Sequence, residues 1–387
     1  MKITDLKING VREPIGFEMP RVTISWKVRE TQSRRAARTA LAVAADEGFA
    51  GILWEKEGEA LASAGETAGL ALRPRTRYFV RVSVTGDAGD SAEAVSFFET
   101  GKMDEPWTGK WIAPREGDER HPLFFRSFEL PGKIRSARLY ITGLGLYEAE
   151  LNGRPVGDEL LAPCWTDYKE MIQAQTYDVT ELLRNGENRL EVLCGNGWYK
   201  GRLGYEGLRE VYGNRFRMLA ELRAVLEDGT ETVIASDESW QYRGSDFEAT
   251  DIYDGERLNR LLWKDRENPD TPADMPAAFD TRIVRDRLSL PVKVKDRLTV
   301  KEIIRTPAGE TVLDMGQNFT GCMEYEADFP AGTEITLDHG EILQGGNFYN
   351  DNYRTAKARM IYVSDGRKET VRAHFTFFGF RYVRVTG

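Results

Sequence analysis

Apolar side chains in this chain recur at every second position, and that period commits it to sheet before anything else is known of it. They are Val22, Ile24, Trp26 and Val28 in one run, and Phe216, Met218, Ala220, Leu222, Ala224 and Leu226 in another. On an extended backbone each set lies on one face, as a half-buried strand requires. The same alternation carries Leu72, Pro74, Thr76 and Tyr78 into Val80, Val82 and Val84. It returns in Ala137, Leu139 and Ile141, in Tyr147, Ala149 and Leu151, and near the end in Ile335, Leu337, Val383 and Val385. Asn152-Gly153 and Asp228-Gly229 stand where two such runs meet, and both dipeptides suit the positive φ of a tight hairpin turn. No run of ten or more residues shows the three-and-four spacing of a long amphipathic helix. The clearest helical piece, Asp178 to Leu183, has a capping aspartate before it and Gly186 shortly after, enough for a turn or two. The expected fold class is all-β.

At 387 residues the chain predicts two to four domains. Two stretches break the texture. Residues 102–122, KMDEPWTGKWIAPREGDERHP, are polar and proline-bearing without a period, and residues 264–280, KDRENPDTPADMPAAFD, read as a crossing loop. These breaks divide the chain into three consecutive β-sandwich domains: 1–102, a larger jelly-roll-type sandwich over 103–290, and a final sandwich over 291–387. In the first, Leu72-x-Pro-x-Thr-x-Tyr78 resembles the corner of a fibronectin type III domain, where a tyrosine hydroxyl ties back to nearby backbone. Trp26 and Tyr78 are expected as core anchors.

The net charge of −9, from 53 Lys and Arg against 62 Asp and Glu, repels phosphate backbones and anionic bilayers, so neither nucleic acid nor membrane is an expected partner. The first ten residues lack the apolar run of a secretion signal, and the expected location is cytoplasmic. Cys164, Cys194 and Cys322 are too few and too scattered for a disulfide framework or a thiolate zinc site.

Familiar catalytic signatures are missing: there is no Gly-x-Ser-x-Gly elbow, phosphate-binding glycine loop or His-Glu-x-x-His. His121, His339 and His374 each lie in β-patterned sequence without a companion motif and are expected to be structural. Carboxylates and bases cluster in Asp338-His339-Gly340-Glu341 and Asn350–Arg354, but nothing in their spacing fixes a mutual geometry. The distinctive strings lie elsewhere. Pro163–Gly207 and TDIYDGERLNR at Thr250–Arg260 resemble the N-terminal accessory domain of bacterial α-L-rhamnosidases. DMGQNFTG at Asp314–Gly321 and HFTFFGFRYVRV at His374–Val385 resemble the β-sandwich that follows it. The resemblance implies a glycoside hydrolase whose bond-breaking part is an (α/α)₆ toroid, with two glutamates acting as acid and base. An inverting pair of that kind stands roughly 6.5–9.5 Å apart. The toroid and its carboxylates have no counterpart in the β-patterned sequence, so the chain is expected to be the accessory, non-hydrolytic portion, completed by a helical catalytic domain in cis or in trans. No catalytic residue is assigned.

For carbohydrate the expected residues pair aromatic plates with amides, since a sugar offers an apolar face and a rim of hydroxyls. Asn196, Trp198 and Tyr199 supply both within Gly195–Tyr199, whose glycines permit close approach. Trp165, Asp167 and Tyr168 form a second cluster upstream. The resemblance also implies calcium, because some members bind terminal L-rhamnose through that ion beside an Asp-Asn pair. Here the matching place reads Asn196-Gly197, so Asn196 with Asp251, Asp254 and Glu256 is the expected oxygen set. No cofactor is otherwise required. Two further readings stay open: a free-standing rhamnose-binding lectin, or a structural subunit with an exposed apolar patch that docks a helical partner.

Overall fold

A computed structural model describes residues 1–59, 61, 63–262, 271–276 and 280–387. The alternating runs form strands, except that Leu72, Pro74 and Thr76 lie in the loop and turn that precede Arg77–Gly86, and the chain is all-β. It divides into two compact units.

The first unit comprises Met1–Pro106 with two returning segments, Ala174–Tyr177 and Val284–Leu288. A three-stranded sheet sets Val22–Arg29 between Lys2–Ile8 and Glu66–Ala68. A five-stranded sheet runs in the order Ile15–Phe17, Ser91–Thr100, Arg77–Gly86, Ala36–Ala44, Ile52–Gly58. Their inward faces are the alternate residues read from sequence: Ile24, Trp26, Val80, Val82 and Phe98 are buried together. Tyr78 stacks on Phe98 at 5.0 Å between ring centroids, and its hydroxyl accepts the Arg73 amide at 2.8 Å. That is the expected tyrosine corner. Asp286 anchors one returning segment by accepting the Lys102 and Met103 amides at 3.0 and 2.9 Å.

The second unit comprises Trp107–Gln173, Asp178–Ile283 and Ser289–Gly387. Ile134–Leu144 pairs antiparallel with Arg217–Leu226, setting Leu139 opposite Leu222 and Ile141 opposite Ala220, and Glu231–Ala235 follows across the Asp228-Gly229 turn. In a second sheet Leu146–Leu151 pairs with Gly186–Gly195, which pairs in turn with Pro122–Leu130. Asn152 and Gly153 take φ of 57° and 74°, closing the hairpin to Arg154–Pro155. The expected helical piece is a single 3₁₀ turn, Thr180–Leu182. The crossing loop read at 264–280 lies largely outside the described residues; within it Thr271–Pro272 pairs with Gln241–Gly244.

A seven-stranded sheet completes this unit, in the order Phe247–Asp251, Gly255–Asn259, Arg359–Val363, Glu334–Gly340, Phe378–Thr386, Thr311–Gly321, Glu302–Arg305. Its first two strands come from far earlier in the sequence than the rest. Gly255–Asn259 pairs parallel with Arg359–Val363, and Phe247, Ile252 and Leu258 share one buried cluster with Met360, Phe375 and Phe380.

Candidate functional site

The strand Gly186–Gly195 delivers the chain into one helical turn, Gly197–Lys200, and then into a small hairpin pairing Arg202–Leu203 with Leu208–Arg209. Beside this turn lies the end of Phe247–Asp251. Asn196 is fixed to that strand twice: its amide donates to Thr250 Oγ1 at 2.8 Å, and its Nδ2 donates to the Thr250 carbonyl at 2.8 Å. Thr250 Oγ1 also meets His121 Nε2 at 2.9 Å. The side-chain amide oxygen of Asn196 is buried without a hydrogen-bond partner among the described residues.

The glycines here serve the interior of the unit. A Cβ on Gly195 would sit 2.3 Å from the Phe375 ring, and one on Gly197, where φ is +53°, would sit 2.6 Å from Leu146. Trp198 is half-buried against the same apolar cluster. Tyr199 is buried edge-on to Tyr168 at 5.3 Å, and Tyr168 in turn contacts Tyr212 at 5.1 Å. Tyr168 is buried, its hydroxyl has no hydrogen-bond partner among the described residues, and burial raises its pKa. Of the five residues read as sugar contacts, Trp165 is the open one, 49% exposed.

The three acidic residues read as metal donors do not converge. Asp251 Oδ1 accepts the amides of Tyr253 and Asp254 at 2.9 and 3.0 Å; its Oδ2 accepts the Arg202 amide at 2.8 Å and Arg209 Nη1 at 2.9 Å. Asp254 receives Arg202 Nη1 at 3.1 Å and Arg209 Nη2 at 2.8 Å. The hairpin sets Arg202 directly opposite Arg209, a like-charge pairing that the two aspartates neutralise. Glu256 points elsewhere: it accepts the backbone amides of His374 and Phe375, and burial raises its pKa. Among the described residues no group of three or more His, Cys, Asp or Glu side chains could hold a metal ion. As they stand, these oxygens are committed to guanidinium and peptide N–H groups and do not fit a calcium cage.

Sequence reading missed the arginines because Arg202 and Arg209 meet their partners only after the chain has turned back from position 251. It also missed a second cluster. Glu148 Oε1 accepts Arg372 Nη2 at 2.9 Å and its Oε2 meets His374 Nδ1 at 2.8 Å, joining residues more than 220 positions apart. Burial would raise Glu148, but His374 and Arg372 outweigh it and hold the carboxyl at about 2.

The fold defines a modular β-sandwich protein in which Tyr168 and Tyr199 are buried, Trp198 packs on the core, the Asn196 amide is bonded to Thr250, and Trp165 is exposed. Three domain families match in order: a Rha78A-like N-terminal immunoglobulin domain over residues 3–104, the α-L-rhamnosidase N-terminal domain over 132–296, and the bacterial α-L-rhamnosidase concanavalin-like domain over 304–387. The chain is 38% identical over 279 residues to an α-L-rhamnosidase of Streptomyces avermitilis, covering 67% of this chain and 26% of that protein. It is 28% identical over 423 residues to an α-L-rhamnosidase of Alteromonas sp. strain LOR, covering 100% and 45%. The crystal structure of native α-L-rhamnosidase from Aspergillus terreus superposes with a TM-score of 0.90 at 28% identity, over 100% of this chain and 47% of that one. The chain belongs to the α-L-rhamnosidase family and carries its N-terminal β-sandwich domains. It spans between about a quarter and just under half the length of these relatives.

Proposed function

We propose that the chain is the carbohydrate-handling and scaffolding portion of an α-L-rhamnosidase acting on terminal α-L-rhamnosides, in three modules with breaks near residues 102 and 290, and that hydrolysis belongs to a helical domain supplied in cis or in trans. The observation that carries this reading is the ordered match of three accessory-type domains over nearly the whole chain. The carboxylates around the candidate site support it too, because Asp251 and Asp254 are each bound by two arginines and neither is placed as a general acid. The purified chain is expected to release no chromophore from an aryl α-L-rhamnoside, and release is expected once the helical domain is added. Turnover by the chain alone, abolished by Asp254→Asn, would overturn the proposal.

A free-standing rhamnose-binding role is the second reading, favoured by the exposed indole of Trp165. An exposed aromatic face is what the apolar side of a deoxyhexose needs. Calorimetry with L-rhamnose and the hydrolysis assay together separate the two: binding lost in Trp165→Ala, with no hydrolysis restored by the helical domain, supports the lectin reading.

A further inference from the structure

Within the second unit, the turn after Phe247–Asp251 and the 202–209 hairpin bring oxygens of a metal-binding kind around two arginines. Asp251 Oδ1 is engaged locally by the amides of Tyr253 and Asp254, and its Oδ2 is left to the hairpin. One guanidinium then bridges two carboxylates: Arg209 Nη1 reaches Asp251 Oδ2 at 2.9 Å, and its Nη2 reaches Asp254 Oδ2 at 2.8 Å. Arg202 takes the remaining oxygen, donating from Nη1 to Asp254 Oδ1 at 3.1 Å. The same Nη1 donates to the Thr355 carbonyl at 2.6 Å, and Nη2 meets Thr355 Oγ1. Two carboxylates and a peptide carbonyl are the hard oxygens that calcium selects. Here they surround guanidinium groups instead.

Charge balance and lone pairs agree. Asp251 is buried, and a buried carboxylate needs a countercharge close by. The two guanidinium groups carry together the charge of one divalent ion, and they balance the two aspartates. Each of the four carboxylate oxygens already accepts at least one N–H. A calcium ion among these oxygens would also stand beside two guanidinium groups bonded to them, a like-charge contact. The planar fork of arginine supplies direction as well as charge, because its two terminal nitrogens can each hold a separate carboxylate. We propose that Arg209, seconded by Arg202, is a built-in cation that serves in place of the calcium implied by the family resemblance, so that this turn is held without metal and loss of Arg209 uncovers a calcium site. These residues hold the turn whether or not the chain has the function proposed above.

Calcium binding is measured on the full 387-residue chain, by calorimetric titration with calcium chloride and by thermal unfolding in chelator and in millimolar calcium. The unaltered chain is expected to take up no calcium at this turn and to unfold at the same temperature in both. Arg209 is half exposed, so Arg209→Ser removes the bridging guanidinium with little loss of packing. Its Tm in chelator is expected to fall by about 2–4 °C and to recover in calcium, since a ligand held only by the folded chain raises its stability. Arg209→Lys keeps a charge without the fork and is expected to bind no calcium. Asp254→Asn added to Arg209→Ser removes an ionic ligand and is expected to abolish the calcium response. Should Arg209→Ser fail to fold, Arg209→Gln, which retains most of the stem, carries the same titration. Calcium uptake by the unaltered chain that Asp254→Asn removes overturns the proposal, because metal then displaces the arginines. A folded Arg209→Ser or Arg209→Gln chain that ignores calcium overturns it too, as does a calcium response that survives Asp254→Asn.

Discussion

Single residues decide how tightly the candidate site is built. Gly195 approaches the Phe375 ring so closely that a methyl group has no room. Phe375 is fully buried and cannot step aside. Gly195→Ala is therefore expected to destabilise the second unit by about 1–3 kcal/mol, the usual effect of overpacking, measured by denaturant unfolding. Glu148 makes the opposite kind of contribution. Its carboxyl is held at about 2 in the folded chain against an ordinary 4.5, so the stability it adds is complete above pH 4.5 and is lost as the pH falls toward 2. Comparing the chain with Glu148→Gln should show a stability difference that shrinks by about 3 kcal/mol between pH 6 and pH 2. A difference independent of pH would mean that Glu148 is not ionised against His374 and Arg372. At this scale the sequence revealed which residue types stand together but not what they face. Asn196, Trp198 and Tyr199 are neighbours in the chain, yet one turn of helix directs the amide to Thr250 and the phenol ring to Tyr168.

Strands and hairpins were the most legible level. Alternation in 134–144 and 217–226 specifies the strands and sets Leu139, Ile141, Ala220 and Leu222 on one buried face, but Tyr140, Leu219 and Glu221 on the opposite face are buried as well, which alternation does not reveal. The Asn152-Gly153 turn was equally readable, but Asn152 does more than close it. Its Nδ2 donates to the Leu182 carbonyl at 2.9 Å and to Asn188 Oδ1 at 2.8 Å, while its Oδ1 accepts the Arg189 amide at 2.9 Å. Asn152→Ala removes those bonds and leaves a Cβ-bearing residue without asparagine's local hydrogen bonds in the left-handed region. The expected loss is about 2–3 kcal/mol, whereas Asn152→Gly should recover the backbone part of it. Equal losses for the two variants would show that the turn conformation contributes little.

Across the whole molecule, the sequence breaks and the structural units follow different lines. The hairpin at 247–259 precedes the break near residue 290, yet it supplies two strands and part of the core to the seven-stranded sheet. Residues 291–387 produced alone therefore lack Phe247, Ile252 and Leu258 and are expected to show neither a cooperative unfolding transition nor dispersed amide resonances. Residues 107–387 should show both, and a well-folded 291–387 fragment would refute this account of the sheet. What the sequence by itself determined was everything governed by near neighbours: the all-β class, one buried face of each alternating strand, the hairpin turns, the tyrosine corner and the family. Period and turn chemistry act within a few residues, and family motifs are local strings. Only the tertiary structure decided which distant groups meet: Asp251 and Asp254 with Arg202 and Arg209, Glu148 with Arg372 and His374, and the 247–259 hairpin with its sheet. Such meetings depend on how strands are ordered in space, and strand order leaves no periodic trace in the chain.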